Sequence, residues 1–161
     1  MAAEIRPARS TDLPAVQRVA RAAWYAAHEP IIGEESVEEF LAEYYSRAAL
    51  EERLDGETVF PVAVEDRVVG FAVAGPTDDP TTYVLGRIYV EPDRWGEGIG
   101  QQLLQDVQRR ARERGGERMR LGVMAENDRA VCFYEAAGYE RVGERVDERI
   151  GTTTYEYERP L

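Results

Sequence analysis

The chain has 161 residues, 43% hydrophobic and 32% charged, a balance that suits one folded domain with its own core and excludes a disordered chain. Its formal net charge is -11, and since it contains no lysine all 20 basic residues are arginines. That balance argues against a nucleic-acid partner, and no apolar run of roughly 18 residues suggests a membrane span.

The opening residues carry no apolar segment of the kind a signal peptide needs. Cys132 is the single cysteine, so no internal disulfide is possible and no metal site is expected. The expected location is cytoplasmic. Two readings of the acidity stand side by side. It steers a cationic amine toward the protein, or it is a solvated surface adapted to high salt, for which an acidic, lysine-free composition is a familiar pattern.

In chain order, residues 3–7 read as a short strand. Thr11 or Asp12 can cap a helix to about Ala27, because Leu13, Val16, Ala20, Ala23, Trp24 and Ala27 recur at helical spacing, and Pro14 is tolerated in its first turn. Residues 28–33 break the pattern, and residues 34–54 read as one or two helices. The period then changes to two. Strands are expected over 59–64 and 68–74, joined by a tight turn at residues 65–67, and over 82–90 after a polar loop. A helix over about 98–114 carries the stripe Ile99, Leu103, Leu104, Val107 and Ala111, and Gly115 with Gly116 ends it. A strand over 118–124, a helix over 127–137 and strands over 139–146 and 152–158 complete the order βααβββαβαββ. This predicts an α/β fold, one domain over residues 1–161, with a mixed sheet of about seven strands and helices on both faces. The unit over 82–124 is a parallel crossover.

Two segments carry chemistry. In the first, a strand ends at Ile88-Tyr89-Val90 and the chain turns through Trp95-Gly96-Glu97-Gly98-Ile99-Gly100 into a helix. Glycines at alternate positions let the backbone approach an anion, and the helix start offers unpaired N–H groups and a partial positive charge. The spacing fails the dinucleotide fingerprint, because the third glycine would fall at Gln101, and the P-loop fails for want of any lysine. In the second, Asn127, Val131 and Tyr134 share one face of the helix that follows the strand over 118–124. Asn127 also reads as an N-cap, Phe133 and Tyr134 as core aromatics, and Gly138 as a C-cap.

The first segment resembles the acetyl-CoA-binding motif of the GNAT superfamily, Gln/Arg-x-x-Gly-x-Gly/Ala, with Gly98 and Gly100 at the small positions and Trp95 where Gln or Arg is usual. The second matches that family's Asn-x-x-Ala-x-x-Phe-Tyr-x-x-x-Gly-Tyr/Phe pattern throughout. The resemblance implies an amine N-acetyltransferase with acetyl-CoA as co-substrate. Ile88, Tyr89 and Val90 would pair their backbone with the acetyl-pantetheine arm, and the N–H groups of residues 95–100 would hold the pyrophosphate. Asn127 would contact the arm, and Tyr134 would protonate the departing thiolate as the amine attacks directly in a ternary complex.

The acceptor side is less marked. Candidate acids are Glu29, Glu34, Glu35, Asp78 and Asp79, and His28 is the sole histidine. Tyr83, Arg87 and Tyr89 alternate with Val84, Ile88 and Val90, so they are expected to share one strand face, with His28, Glu29, Tyr83 and Arg87 as substrate residues. Residues 24–54 and 85–90 are loosely similar to the spermidine/spermine acetyltransferase branch, which implies a polyamine or other small amine. The alternatives are a peptide N-terminal or lysine acetyltransferase, or a non-catalytic acyl-CoA-binding sensor. The partners expected are thus a small-molecule or peptide amine, with no nucleic acid and no membrane, and a homodimer is the assembly to test. If the acidity is halophilic, the melting temperature will rise between low and molar KCl as salt screens self-repulsion; a flat thermal scan would favour the steering role.

Overall fold

The computed structural model describes residues 3–161; Met1 and Ala2, at the start of the opening stretch, lie outside the described residues. Seven strands, β1 (Glu4–Pro7), β2 (Pro61–Val64), β3 (Val68–Pro76), β4 (Thr82–Val90), β5 (Arg118–Met124), β6 (Glu140–Asp147) and β7 (Thr152–Pro160), form one sheet in the order β1-β2-β3-β4-β5-β7-β6. Every neighbouring pair is antiparallel except β4–β5. That one parallel pair is joined by the crossover helix α4 (Ile99–Glu113).

Helices cover both faces. On one side lie α1 (Leu13–Ala27), α2 (Glu29–Tyr44) and α3 (Arg47–Glu52), whose Leu13, Val16, Val37 and Leu50 pack with Phe71 and Val62 of the sheet. On the other lie α4 and α5 (Asp128–Ala136), with Leu103, Val107, Met119 and Tyr157 in the core. Because both faces of β3 are covered, residues 68–74 are buried without interruption.

Three local readings change. The stretch after α1 is not an open break: α2 begins at Glu29 and is interrupted only at Gly33, whose φ of 84° a side chain would resist. With α3 separate, capped by Ser46 accepting from the Ala49 amide at 3.2 Å, the order is βαααβββαβαββ. Asp12 precedes α1 without capping it, because its carboxylate is occupied by the Arg6 guanidinium at 2.8 and 3.0 Å and by the Arg9 amide at 2.8 Å.

The third change bears on the site. Arg87 pairs with Val73 and Leu85 with Ala74, so Gly86 is an extra residue in β4, a β-bulge. Alternation shifts by one across it. Tyr83 and Leu85 face α4, as do Ile88 and Val90, whereas Tyr89 faces α1–α3. Arg87 lies on the α1–α3 side too, stacked on Tyr45. The expectation that Tyr83 shares a face with Arg87 and Tyr89 is therefore corrected: Tyr83 is 3% exposed in the core beneath α4.

The approach of α4 to the sheet depends on Gly70, where an added Cβ would stand 3.1 Å from both Leu103 Cδ1 and the Tyr89 carbonyl oxygen. The carbonyl belongs to a paired strand and cannot give way. Gly70→Ala is expected to lower stability by about 1–3 kcal/mol, measured by urea denaturation, with Ala72→Gly as a control that opens space instead.

Candidate active site

Ladder pairing between β4 and β5 covers only residues 82–84 against 118–120. Beyond it β4 stays with β3 and β5 stays with β7, and the two strands part. Residues 85–90 and 121–124 are left without a partner on their facing edges, and a cleft of about 760 Å³ fills the wedge. Exposed edge groups of this kind can pair with an extended ligand as an added strand.

The glycine turn forms one end of the cleft. Gly96 and Gly98 have φ of 83° and 86°, values a side chain would resist, and Gly98 is the N-cap of α4 without any side-chain cap. The first N–H groups of this 15-residue helix are thus free for an anion, aided by its dipole. Gly100 lies against Phe133, whose ring carbons are 3.5 Å from where a Cβ would be. Trp95 braces the turn: its Nε1 donates to the Val90 carbonyl at 2.9 Å, and the Arg129 guanidinium lies 4.6 Å over its ring. Ile88, Tyr89, Val90, Gly96, Gly98, Ile99 and Gly100 line the cleft, whereas Glu97 does not, its carboxylate lying 3.7 Å from Arg94.

From the opposite wall come Asn127 and Tyr134. Asn127 caps α5, its side-chain oxygen accepting from the Ala130 amide at 3.2 Å, and it also lines the cleft. Tyr134 is 7% exposed, wedged edge-on between Phe133 and Tyr139 with centroids 5.2 and 5.8 Å away. Its hydroxyl has no hydrogen-bond partner among the described residues. Burial, with a smaller contribution from Tyr139, pushes its pKa up, so the phenol keeps its proton at neutral pH.

On the α1 side, His28 lines the cleft at 5% exposure, edge-on to Trp24 at 4.4 Å. Its Nε2 is 3.3 Å from the Tyr89 hydroxyl, and its Nδ1 is buried without a partner. Burial lowers its pKa to about 4. Arg87 stacks over Tyr45 at 4.5 Å, and its Nη1 is buried without a partner. Of the acceptor-side candidates, His28 and Arg87 meet in the cleft; Tyr83 and Glu29 do not, Glu29 being an exposed residue at the start of α2. Glu34 and Glu35 are exposed as well, and Asp79 is occupied in its own turn by Thr81 and Thr82. Sequence reasoning missed the Gly86 bulge, which a glycine in mid-strand can signal. It also missed Arg145 and Thr154, whose cleft positions follow from long-range β6–β7 pairing that no local signal reveals.

Among the described residues, the cleft lining includes Arg87, Arg94, Arg129 and Arg145 but no aspartate or glutamate. The 31 carboxylates of this acidic chain lie elsewhere, many in ion pairs such as Arg18–Glu91–Arg67 and Arg21–Glu38. The lining therefore gives no local support to the steering of a cation by net charge.

Residues 17–139 match the acetyltransferase (GNAT) family. The chain belongs to that family. It is thus an acetyl-CoA-dependent acyltransferase, with acetyl-CoA as co-substrate. The acetyltransferase is 28% identical over 137 residues to an uncharacterised N-acetyltransferase of Mycobacterium bovis, covering 84% of this chain and 87% of that one. It is 27% identical over 126 residues to one from Lactobacillus delbrueckii subsp. lactis, covering 71% and 73%. Its fold superposes on PaiA N-acetyltransferase from Thermoplasma acidophilum, solved in complex with coenzyme A, with a TM-score of 0.87, 25% identity and coverage of 99% and 100%.

His28 makes acid stability a readout of this site. An unfolded imidazole protonates near 6.5 and the folded one near 4, so between these values the unfolded state binds the extra proton and stability falls as pH falls. The loss attributable to His28 is about 3 kcal/mol by pH 4. Urea denaturation at pH 7 and pH 4.5 is expected to show a shallower decline for His28→Phe than for the parent.

Proposed function

We propose that this acetyltransferase moves an acetyl group from acetyl-CoA to a primary amine, small or peptide-borne, by direct attack within a ternary complex. The observation that carries the reading is the Tyr134 phenol: protonated, without a partner, and at the wall of a cleft that begins at a free helix N-terminus. The residues fit the cofactor. The amides of residues 96–100 would hold the pyrophosphate, the open edge of β4 at residues 88–90 would hydrogen-bond the pantetheine arm, and Asn127 would meet the arm from α5. Bound acetyl-CoA supplies the thioester acyl group.

The chain's own residues then handle protons and charge. Tyr134 gives its hydroxyl proton to the sulfur as the C–S bond breaks, an assistance worth typically ~10²–10⁴ in rate. Gly86 stands outside the β3–β4 register at the bulge, where its amide would polarise the acyl carbonyl. The amine's proton leaves through water, because burial holds His28 neutral at pH 7 but also makes it a weak base. The polyamine expectation rests on a loose likeness and on net acidity; the cleft lining speaks for another acceptor class, argued below. A cytoplasmic location and a homodimer belong to the same proposal.

Thiol release with an amine panel tests the assignment. Because the Tyr134 hydroxyl bonds to no other group, Tyr134→Phe should leave stability and acetyl-CoA affinity nearly unchanged and lower kcat by roughly 10–10⁴. Full activity in this variant would remove Tyr134 from the reaction. A large loss of stability with normal kcat would make it a packing residue.

A further inference from the structure

The four arginines of the cleft are not equivalent. Arg94 pairs with Glu65 at 2.6 Å, Arg145 pairs with Glu156 at 3.1 Å, and Arg129 stacks on Trp95 beside the glycine turn. Arg87 pairs with no carboxylate among the described residues. Its ionisable neighbours are the phenols of Tyr44, Tyr45 and Tyr89 and a second cation, Arg53. The two arginines border a smaller hollow of about 210 Å³, walled by Thr58 and the end of β3, that meets the main cleft at Val84, Gly86 and Arg87. Its lining also holds no acidic residue. Two cations facing one pocket, one with a buried Nη1 that has no partner among the described residues, are an arrangement that costs stability unless an anion completes it. Arginine keeps its charge even when burial lowers its pKa.

The co-substrate does not supply that anion. Its phosphates belong at the start of α4, and its pantetheine arm is neutral. At about 3.3 Å per residue, Arg87 stands about 10 Å back from Val90 along β4, and the hollow lies farther toward the start of that strand. A polyamine would bring only positive charge to this end.

We infer that the acceptor is an amine bearing an anionic group, a carboxylate or a phosphonate-like oxyanion, held by Arg87 with Arg53 while the amine reaches the acyl carbon near Gly86. This rests on the acetyl transfer proposed above and names its acceptor class. A planar guanidinium suits either oxyanion through paired hydrogen bonds. The stacking on Tyr45 orients the group without satisfying its N–H donors.

Two measurements decide. In the first, thiol release is followed with β-alanine, 2-aminoethylphosphonate and propylamine, which are matched in chain length, and with lysine against cadaverine. The parent is expected to favour the anionic member of each set by at least about tenfold in kcat/KM. Arg87→Met should lower that member's kcat/KM by about 10- to 100-fold more than it lowers that of propylamine or cadaverine. The better of β-alanine and 2-aminoethylphosphonate identifies the oxyanion. A preference for cadaverine or spermidine in the parent would overturn the inference, and so would an equal loss on all amines in Arg87→Met, which is the mark of a packing role. Arg87→Lys, which retains the charge, should recover part of the anionic preference. The second measurement needs no turnover: calorimetric titration of the CoA-saturated protein with N-acetyl-β-alanine and with N-acetylpropylamine. Binding of the first alone, lost in Arg87→Met, supports the anion site even if no amine is acetylated, in which case the transfer reading falls instead. Turnover with equal binding of both compounds leaves acetyl transfer standing and removes the anion site.

Discussion

The parting of β4 from β5 is the constraint on which the rest of the molecule depends. A sheet tolerates unpaired backbone in its middle only if something else satisfies it, and here the partner strands β3 and β7 hold the two halves while leaving a slot between them. The slot places two edge strands, a bare helix N-terminus and the wall of α5 around one channel. Gly70 lets α4 sit close enough for its first turn to reach the mouth, and Trp95 ties the turn to the last carbonyl of β4. Each of these is a packing fact before it is a binding fact.

Much of this was legible in the amino-acid sequence because its signals are local. Period-two and period-3.6 patterns placed β4 and β5 at their observed bounds and α4 within a residue of its own. The glycine turn and the Asn127–Tyr134 helix read correctly as a strand-to-helix turn and a capped helix because caps and positive-φ glycines are set by near neighbours. What failed was anything requiring a count across strands. Tyr83 was assigned to the wrong face because alternation was carried through Gly86 without a bulge. Glu29 was a reasonable acid by chain position, but its direction depends on how α2 leaves α1, and that is settled by tertiary packing. The roles given to Tyr134 and to the cofactor-binding residues remain tied to the experiments that test them.

Charge shows the same separation of scales. Composition predicts a strongly negative protein, and the surface is one, yet the cleft is lined by arginine without acid. Net charge acts on diffusing partners beyond the surface, whereas a bound group responds to the few side chains within reach, at lower dielectric and with less screening. Arginine is the better residue for the second task because its donors are fixed in a plane. A chain without lysine has no other cation to place there at neutral pH beyond its amino terminus.

The extra residue at Gly86 gives β4 two numbering parities. Before it, odd positions look toward α4; after it, even positions do. An insertion or deletion of one residue anywhere in the strand would therefore act like a half-turn of the segment on one side of the bulge, moving a cation under α4 or a core leucine to the α1–α3 side. When relatives are aligned through this strand, distance from its first residue is a poor guide to which side a residue serves. The bulge glycine is the proper origin for that count.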